Sequence, residues 1–306
     1  MSYGAPTERR LLAAAPPPSP PVFIVGLHRS GTTFLYEALR TLFPLSCVTA
    51  YRVLHYRELL ELEASYRALQ AQRELAERFT SWGLTDRQID AVALRPDMPE
   101  EYGWVLAREA GRLTLGAATE RAFRELCTKL CALEPGHVPL LKNPWDTAQV
   151  PWIAERFPAA SFVFIRREPL SVLNSQLKAA VINAGPTPYL DLLLAGYRLG
   201  RYAMRGQRAL LRCLGPERFR RLMVRGLARD VARQRAHYDR ALAAVPARRR
   251  CEVHYEALVT RPAEALAPVA ALLGLPLRAS YEAIEPRPRP PRLLPEVAAY
   301  ADRFQP

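Results

Sequence analysis

Lysine is scarce in this chain. Of its 43 basic residues only Lys129, Lys142 and Lys178 are lysines, so arginine is the default cation and a lysine inside a motif is informative. Cysteine is sparse too. Cys47, Cys127, Cys131, Cys213 and Cys251 are odd in number and scattered, which argues against a disulfide framework. Cys127 and Cys131 have no histidine at zinc-ligand spacing, so these residues read as small hydrophobes in a reducing compartment. No apolar run approaches the roughly 20 residues that span a bilayer. The opening MSYGAPTERRLLAAAPPPSPP lacks the apolar stretch of a secretory signal. Residues 1–20 are expected to be a disordered Pro-rich lead-in, residues 21–306 a single α/β domain, and the protein cytoplasmic. Charge is plentiful and unbalanced, at +13 net. A surplus of that size attracts anions, whether nucleic acid, anionic membrane, or small phosphate and sulfate compounds.

Strand-like and helix-like stretches alternate along the chain. PVFIV reads as a buried strand, and TTFLYEALRTLFP as a helix stopping near Pro44. RELLELEASYRALQAQRELAERF reads as one long helix with interleaved charges. VPLLKNPW and ASFVFIRREP read as strands, followed by the helices DTAQVPWIAERF and LSVLNSQLKAAVI. This alternation predicts an α/β fold, a P-loop-like three-layer sandwich with a central parallel sheet flanked by helices. The loops leaving the strands should converge on one pocket at their carboxyl ends. From Leu190 to Arg250 an Arg-rich helical insert is expected. Arg198, Arg201, Arg205, Arg208 and Arg212 would line one face, and Arg218, Arg221, Arg225, Arg229 and Arg233 another. Such faces read as solvated surface or as a site for an anionic acceptor or partner. The stripe lacks interleaved exposed aromatics, so nucleic acid is not expected. The segment CEVHYEALVTRPAEALAPVAALLGLP begins as a short strand and becomes an amphipathic helix, and EPRPRPPRLLP is a basic extended loop.

After the first strand comes GLHRSGTT, residues 26–33. Its frame is that of a phosphate-cradling loop, G-x-x-x-x-G-K-[ST], with Thr32 where the lysine belongs. Gly26 and Gly31 permit the tight turn, and Thr32 and Thr33 bring N–H and hydroxyl groups to a helix start, where an anion is favoured. Transfer of the γ-phosphate of ATP also needs the loop lysine and a magnesium-holding carboxylate at a strand end. Both are missing, since the strand FVFI ends in Arg166 and Arg167. The cradle is kept and the kinase chemistry excluded, with Arg29 able to supply charge as a planar fork.

At these residues the chain resembles the sulfotransferases that use 3′-phosphoadenosine-5′-phosphosulfate (PAPS), in the branch that includes the bacterial and tyrosylprotein enzymes. The signature R-S-G-T-T is complete, from Arg29 to Thr33. RREPLSVLNS supplies the family's arginine and, eight residues on, its serine, as Arg167 and Ser175; the resemblance implies that both grip the 3′-phosphate. LLKNPW resembles the segment whose lysine aids the leaving group, here Lys142. VHYEALVTRP resembles a later segment in which Tyr255 reaches the nucleotide. The implied donor-site residues are His28, Arg29, Ser30, Gly31, Thr32, Thr33, Arg167, Ser175 and Tyr255. PAPS is the implied co-substrate, the bisphosphate PAP the product, a hydroxylated small molecule or lipid the acceptor, and no metal is required.

The general base departs from the family. Where cytosolic sulfotransferases carry histidine after the lysine, this chain has Asn143 and Pro144, and the region matching the tyrosylprotein glutamate has none before Glu58. His55 and Glu58 are candidates, as are Glu100 and Glu101 in MPEEYGW, which joins acid to aromatics as an acceptor pocket would. His28 lies in the loop itself. A PAPS-binding or PAP-binding protein without catalysis is the alternative reading.

Overall fold

The structure is a computed structural model that describes residues 5–90, 92–285 and 292–301. Five strands, β1 (Val22–Val25), β2 (Leu45–Cys47), β3 (Val138–Lys142), β4 (Ser161–Arg166) and β5 (Arg250–His254), pair in the order β2-β3-β1-β4-β5. Every pair is parallel. All four residues of β1 are buried, as expected of a strand covered on both faces. The two-residue period of the strand sorts them. Phe23 and Val25 enter one core together with Phe162, Phe164 and Leu141. Val22 and Ile24 enter the other with Val163, Ile165 and Leu140. Helices close both cores, so the expected three layers are present.

The strand order places the site. β3 and β4 flank β1 on opposite sides, and the chain switches direction across β1 as it passes from one to the other. The loops after β1, β3 and β4 therefore emerge side by side at the carboxyl edge, the usual crevice for ligands in such sheets.

Several expectations need correction. The lead-in is not wholly irregular, because Ala5–Ala14 is a helix. Its Glu8 is 5% exposed, lies 2.6 Å from Lys129 Nζ, and accepts from the backbone N–H groups of Leu60 and Glu61. The expected long helix is two, Leu59–Ala64 and Ala68–Ser81. Between them Tyr66 adopts φ 59, and the Arg67 N–H reaches back to the Leu62 carbonyl, a left-handed cap that stops the first helix. The helix expected after β3 starts as the tight 3₁₀ turn Pro144–Gln149 before Val150–Arg156, because Asp146 turns inward to Tyr102 and Asn143. After β5, Tyr255–Thr260 and Pro262–Leu273 are separate helices, since Pro262 has no N–H and restricts the residue before it. β2 and the helices Gly103–Ala110 and Glu120–Leu133 had no sequence expectation. Most of the basic loop EPRPRPPRLLP, residues 286–291, lies outside the described residues.

The Arg-rich region is helical as expected, in Pro188–Leu194 and the long helix Arg198–Ala244, which breaks at Gly215 (φ 72, ψ 166) before Pro216. Arg208 keeps its place in the expected row, but its side chain is half-buried against Asp191 and Thr187 rather than free in solvent. Among the described residues no helix is long and apolar enough to cross a membrane.

Candidate active site

Loop 26–31 is shaped by two left-handed residues, Arg29 at φ 71 and Gly31 at φ 96. A Cβ on Gly31 would lie 2.2 Å from the Tyr255 ring, so only glycine lets β1's loop and the helix after β5 approach this closely. Ser30 Oγ donates to the Leu27 carbonyl at 2.8 Å and braces the turn. The helix Thr32–Leu42 then opens without a side-chain cap, leaving the donor-rich end that attracts an anion.

Three elements aim at this end. From the end of β4, the Arg167 guanidinium donates to the Arg29 carbonyl at 2.9 Å and stacks on Tyr255, 4.1 Å from the ring centroid. Its Nε is buried without a partner among the described residues. From the helix Pro169–Asn183, Ser175 Oγ accepts from Arg29 Nε at 3.0 Å. From the end of β3 comes Lys142, entirely buried. Its Nζ donates to Thr33 Oγ1 at 3.0 Å and meets Glu101 Oε1 at 2.8 Å. Arg29, Thr33, Lys142, Arg167, Ser175 and Tyr255, far apart in sequence, thus form one cluster.

The candidate bases separate. Burial alone would raise Glu101, but the charges of Lys142 and then Arg87 outweigh it and hold its carboxyl well below the usual carboxylate range. Glu100 turns the other way and accepts from Arg87 at 2.6 Å and from Tyr189 at 2.8 Å. Burial, then the neighbouring Glu101 charge, push its carboxyl above the usual carboxylate range. His55 sits against Glu58 at 2.8 Å and the Tyr51 ring, and neither His55 nor Glu58 makes a described contact with the loop or Lys142. Asn143, in the position of the cytosolic histidine, is committed to Asp146 and the Leu113 carbonyl.

His28 packs edge-on against Trp145, and its Nε2 is buried without a partner among the described residues. Burial pushes the imidazole down to about 4, Glu101 pulling it upward and Lys142 and Arg29 adding to the fall. It is therefore a neutral ring. The folded state binds fewer protons than the unfolded chain between about pH 4 and 6.5, so this group's contribution to stability is complete above about 6.5 and lost as pH falls toward 4. His28→Gln is expected to flatten the decline of the unfolding midpoint over that window, read by thermal denaturation at stepped pH. An unchanged slope would show that His28 does not titrate there.

Four neighbours escaped the sequence reading. Asp90 pairs with Arg29 at 3.6 Å, Arg87 bridges Asp90 and Glu100, and Tyr189 caps Glu100. Asp146 accepts from Tyr102 and Asn143 and from the Leu115 N–H, and the Tyr102 N–H donates to the Lys142 carbonyl. It thereby fixes the Glu100–Glu101 turn against the end of β3. Only Asp146, four residues after Lys142, offered a local signal. Beside the loop a cavity of about 250 Å³ is lined by Leu27, Ser30, Arg167, Val231, Tyr238 and His254, among others.

The sequence matches the Sulfotransferase family over residues 20–279. No curated protein matches it. Among solved structures, sulfotransferase STF1 from Mycobacterium tuberculosis H37Rv superposes with a TM-score of 0.59 at 16% identity, over 92% of this chain and 74% of that one. Sulfotransferase STF9 from Mycobacterium avium superposes with a TM-score of 0.58 at 14% identity, over 98% of this chain and 72% of that one. At these identities the likeness is one of fold.

Proposed function

The chain belongs to the sulfotransferase family, and from that premise we propose that it moves a sulfonate from PAPS to a hydroxyl of a small-molecule or lipid acceptor. The observation that carries this reading is Lys142: one ammonium touches both the hydroxyl at the phosphate-facing helix start, Thr33 Oγ1, and a carboxylate, Glu101. The cradle fits a phosphate ester. Gly31 keeps the loop's backbone bare against the Tyr255 ring, and among the described residues the buried Arg167 Nε and His28 Nε2 have no partner. When bound, PAPS supplies an activated sulfonate on a 5′-phosphate, and PAP leaves.

The residues then divide the work. Arg29 and the N–H groups opening the helix Thr32–Leu42 hold the 5′-phosphate, and Arg167 with Ser175 holds the 3′-phosphate. Tyr255, already stacked on Arg167, flanks the nucleoside, whose base fits the adjacent cavity. Neutral His28 offers one hydrogen bond through Nε2. Lys142 Nζ places positive charge where negative charge builds on the leaving oxygen. As Nζ turns to that oxygen, Glu101 loses its partner, its carboxylate becomes more basic, and Oε1 can take the proton of the acceptor hydroxyl. Glu100 and His55 are not needed in this scheme.

Calorimetric titration with PAP, and separately with ATP and magnesium, tests the donor. PAP is expected to bind, and Arg167→Ala to weaken it by about 2 kcal/mol, roughly 30-fold, as loss of a charge-assisted phosphate contact should. Preference for ATP, or no PAP binding, would sink the reading. PAP binding without transfer to any acceptor in a labelled-PAPS screen would favour the non-catalytic alternative.

A further inference from the structure

The long helix Arg198–Ala244 has two sides of unlike chemistry. Phe219, Val224, Ala228, Val231 and Tyr238 are buried, and Val231 and Tyr238 line the cavity beside Ser30 and Arg167. The outer side carries the exposed Arg201, Arg205, Arg212, Arg218, Arg225 and Arg229. Steps of four and seven residues keep each arm's arginines on one face on either side of the Gly215 break. None of these six has a carboxylate partner among the described ion pairs. Other arginines of the helix do, as in Arg220 with Glu296 and Arg221 with Glu217.

A face meant only for water looks different in this same chain. On the helix Glu120–Leu133, arginines alternate with glutamates at i,i+4, as in Arg121 with Glu125 and Arg124 with Glu120. On the long helix one such exposed pair occurs, Arg221 with Glu217, but the six arginines above have none, and bulky apolar groups stand on the exposed surface as well. Leu199 is 68% exposed, Tyr202 61% and Leu222 55%; Leu222 stands three, four and seven residues from Arg225, Arg218 and Arg229 on one face, and Leu199 and Tyr202 flank the row of the first arm. Unpaired guanidinium groups with exposed apolar side chains between them are the two elements that hold a helix at a charged lipid interface. Contrary to the expectation from sequence, one exposed aromatic, Tyr202, stands in the stripe; nucleic acid would call for several stacking aromatics or a groove, and this ring has the Arg205 guanidinium over it at 5.9 Å.

We propose that the outer face of Arg198–Ala244 docks on an anionic membrane surface, its arginines on lipid phosphates and Leu199, Tyr202 and Leu222 in the headgroup boundary. Because the buried side of the arm after Gly215 lines the cavity, docking of that arm sets the cavity beside the bilayer, where an amphiphilic acceptor would be delivered. The docking itself stands on the helix alone and is independent of the donor chemistry.

The test is sedimentation of the full chain with vesicles of phosphatidylcholine, and with vesicles in which about a third of the lipid is phosphatidylglycerol. Binding is expected to the anionic vesicles only, and to be released near 0.5 M salt, roughly where screening shortens to a few ångströms. The combined Arg201→Gln, Arg205→Gln, Arg218→Gln and Arg225→Gln variant is expected to bind at least about tenfold more weakly. Leu199→Ser with Leu222→Ser should weaken binding a few-fold. Failure to bind, equal binding to neutral vesicles, or an unaffected four-arginine variant would each overturn the proposal. So would tighter binding to an RNA or DNA oligomer that competes the vesicles away. PAP titration of the four-arginine variant checks that it is folded, and the lipid and salt readouts on the unaltered chain decide the matter even if that variant is lost.

Discussion

Lys142→Met is expected to slow sulfonate transfer about 10³-fold while leaving PAP affinity within a few-fold of the parent. A cation at the leaving oxygen acts where charge develops during reaction, so its loss falls on the rate rather than on ground-state binding. Folding suffers as well. Lys142 has no exposed surface, and its removal strands the partly buried Glu101 carboxylate, 16% exposed, with Arg87 as the remaining nearby countercharge. Breaking a fully buried pair by removing one partner costs about 3–5 kcal/mol, and the loss here should fall toward or below the lower end because Glu101 keeps some contact with water. Adding Glu101→Gln should restore most of that stability, because no stranded charge is left, and should restore none of the rate. The two effects are separated by single-turnover transfer of labelled sulfonate to an acceptor found by screening, and by denaturant unfolding. A Lys142→Met enzyme that retained its rate within a few-fold would remove Lys142 from the chemistry.

Gly31→Ala is expected to lower PAP affinity about 100-fold, near 2.7 kcal/mol. Two costs combine. Alanine at φ 96 is strained, and its Cβ would enter the Tyr255 ring at 2.2 Å, displacing the ring from the Arg167 guanidinium. Gly136 separates these costs, since it has φ +81 with nothing within 4 Å of its Cβ position. Gly136→Ala should lose stability alone, about 1 kcal/mol. Tyr255→Ala on the Gly31→Ala background should recover part of the affinity by removing the collision. Calorimetry with PAP reads both, and wild-type affinity in Gly31→Ala would show that the loop does not contact the nucleotide.

What the sequence disclosed about this cluster was local chemistry. The loop 26–33, the strand-end Arg167, Ser175 eight residues on, and Lys142 in an otherwise lysine-poor chain each announce themselves within a few residues. The β1, β3 and β4 runs are apolar because both their faces are covered, so the three-layer arrangement was legible from them. β2 was not, being three residues long, and neither was the break at Tyr66, which rests on one left-handed residue that sequence pattern does not betray. The choice among bases was beyond reach for a different reason. Glu100 and Glu101 are adjacent in sequence, and only the turn fixed by Tyr102 and Asp146 sends one to Lys142 and the other to Arg87 and Tyr189. Polarity and propensity are the same for both, so the distinction belongs to tertiary structure.

The contact between Gly31 and Tyr255 has a bearing on how the protein comes into being. It joins the first loop of the sheet to the residue immediately after the last strand. On a ribosome delivering the chain from its N-terminus, β1, its loop and Lys142 emerge long before β5 can close the edge beside β4. During that interval Arg167 lacks the ring on which it stacks, and the half-made protein has no finished pocket with which to sequester nucleotide. The site is completed among the last events of synthesis, and chains cut short before Tyr255 would be left without it.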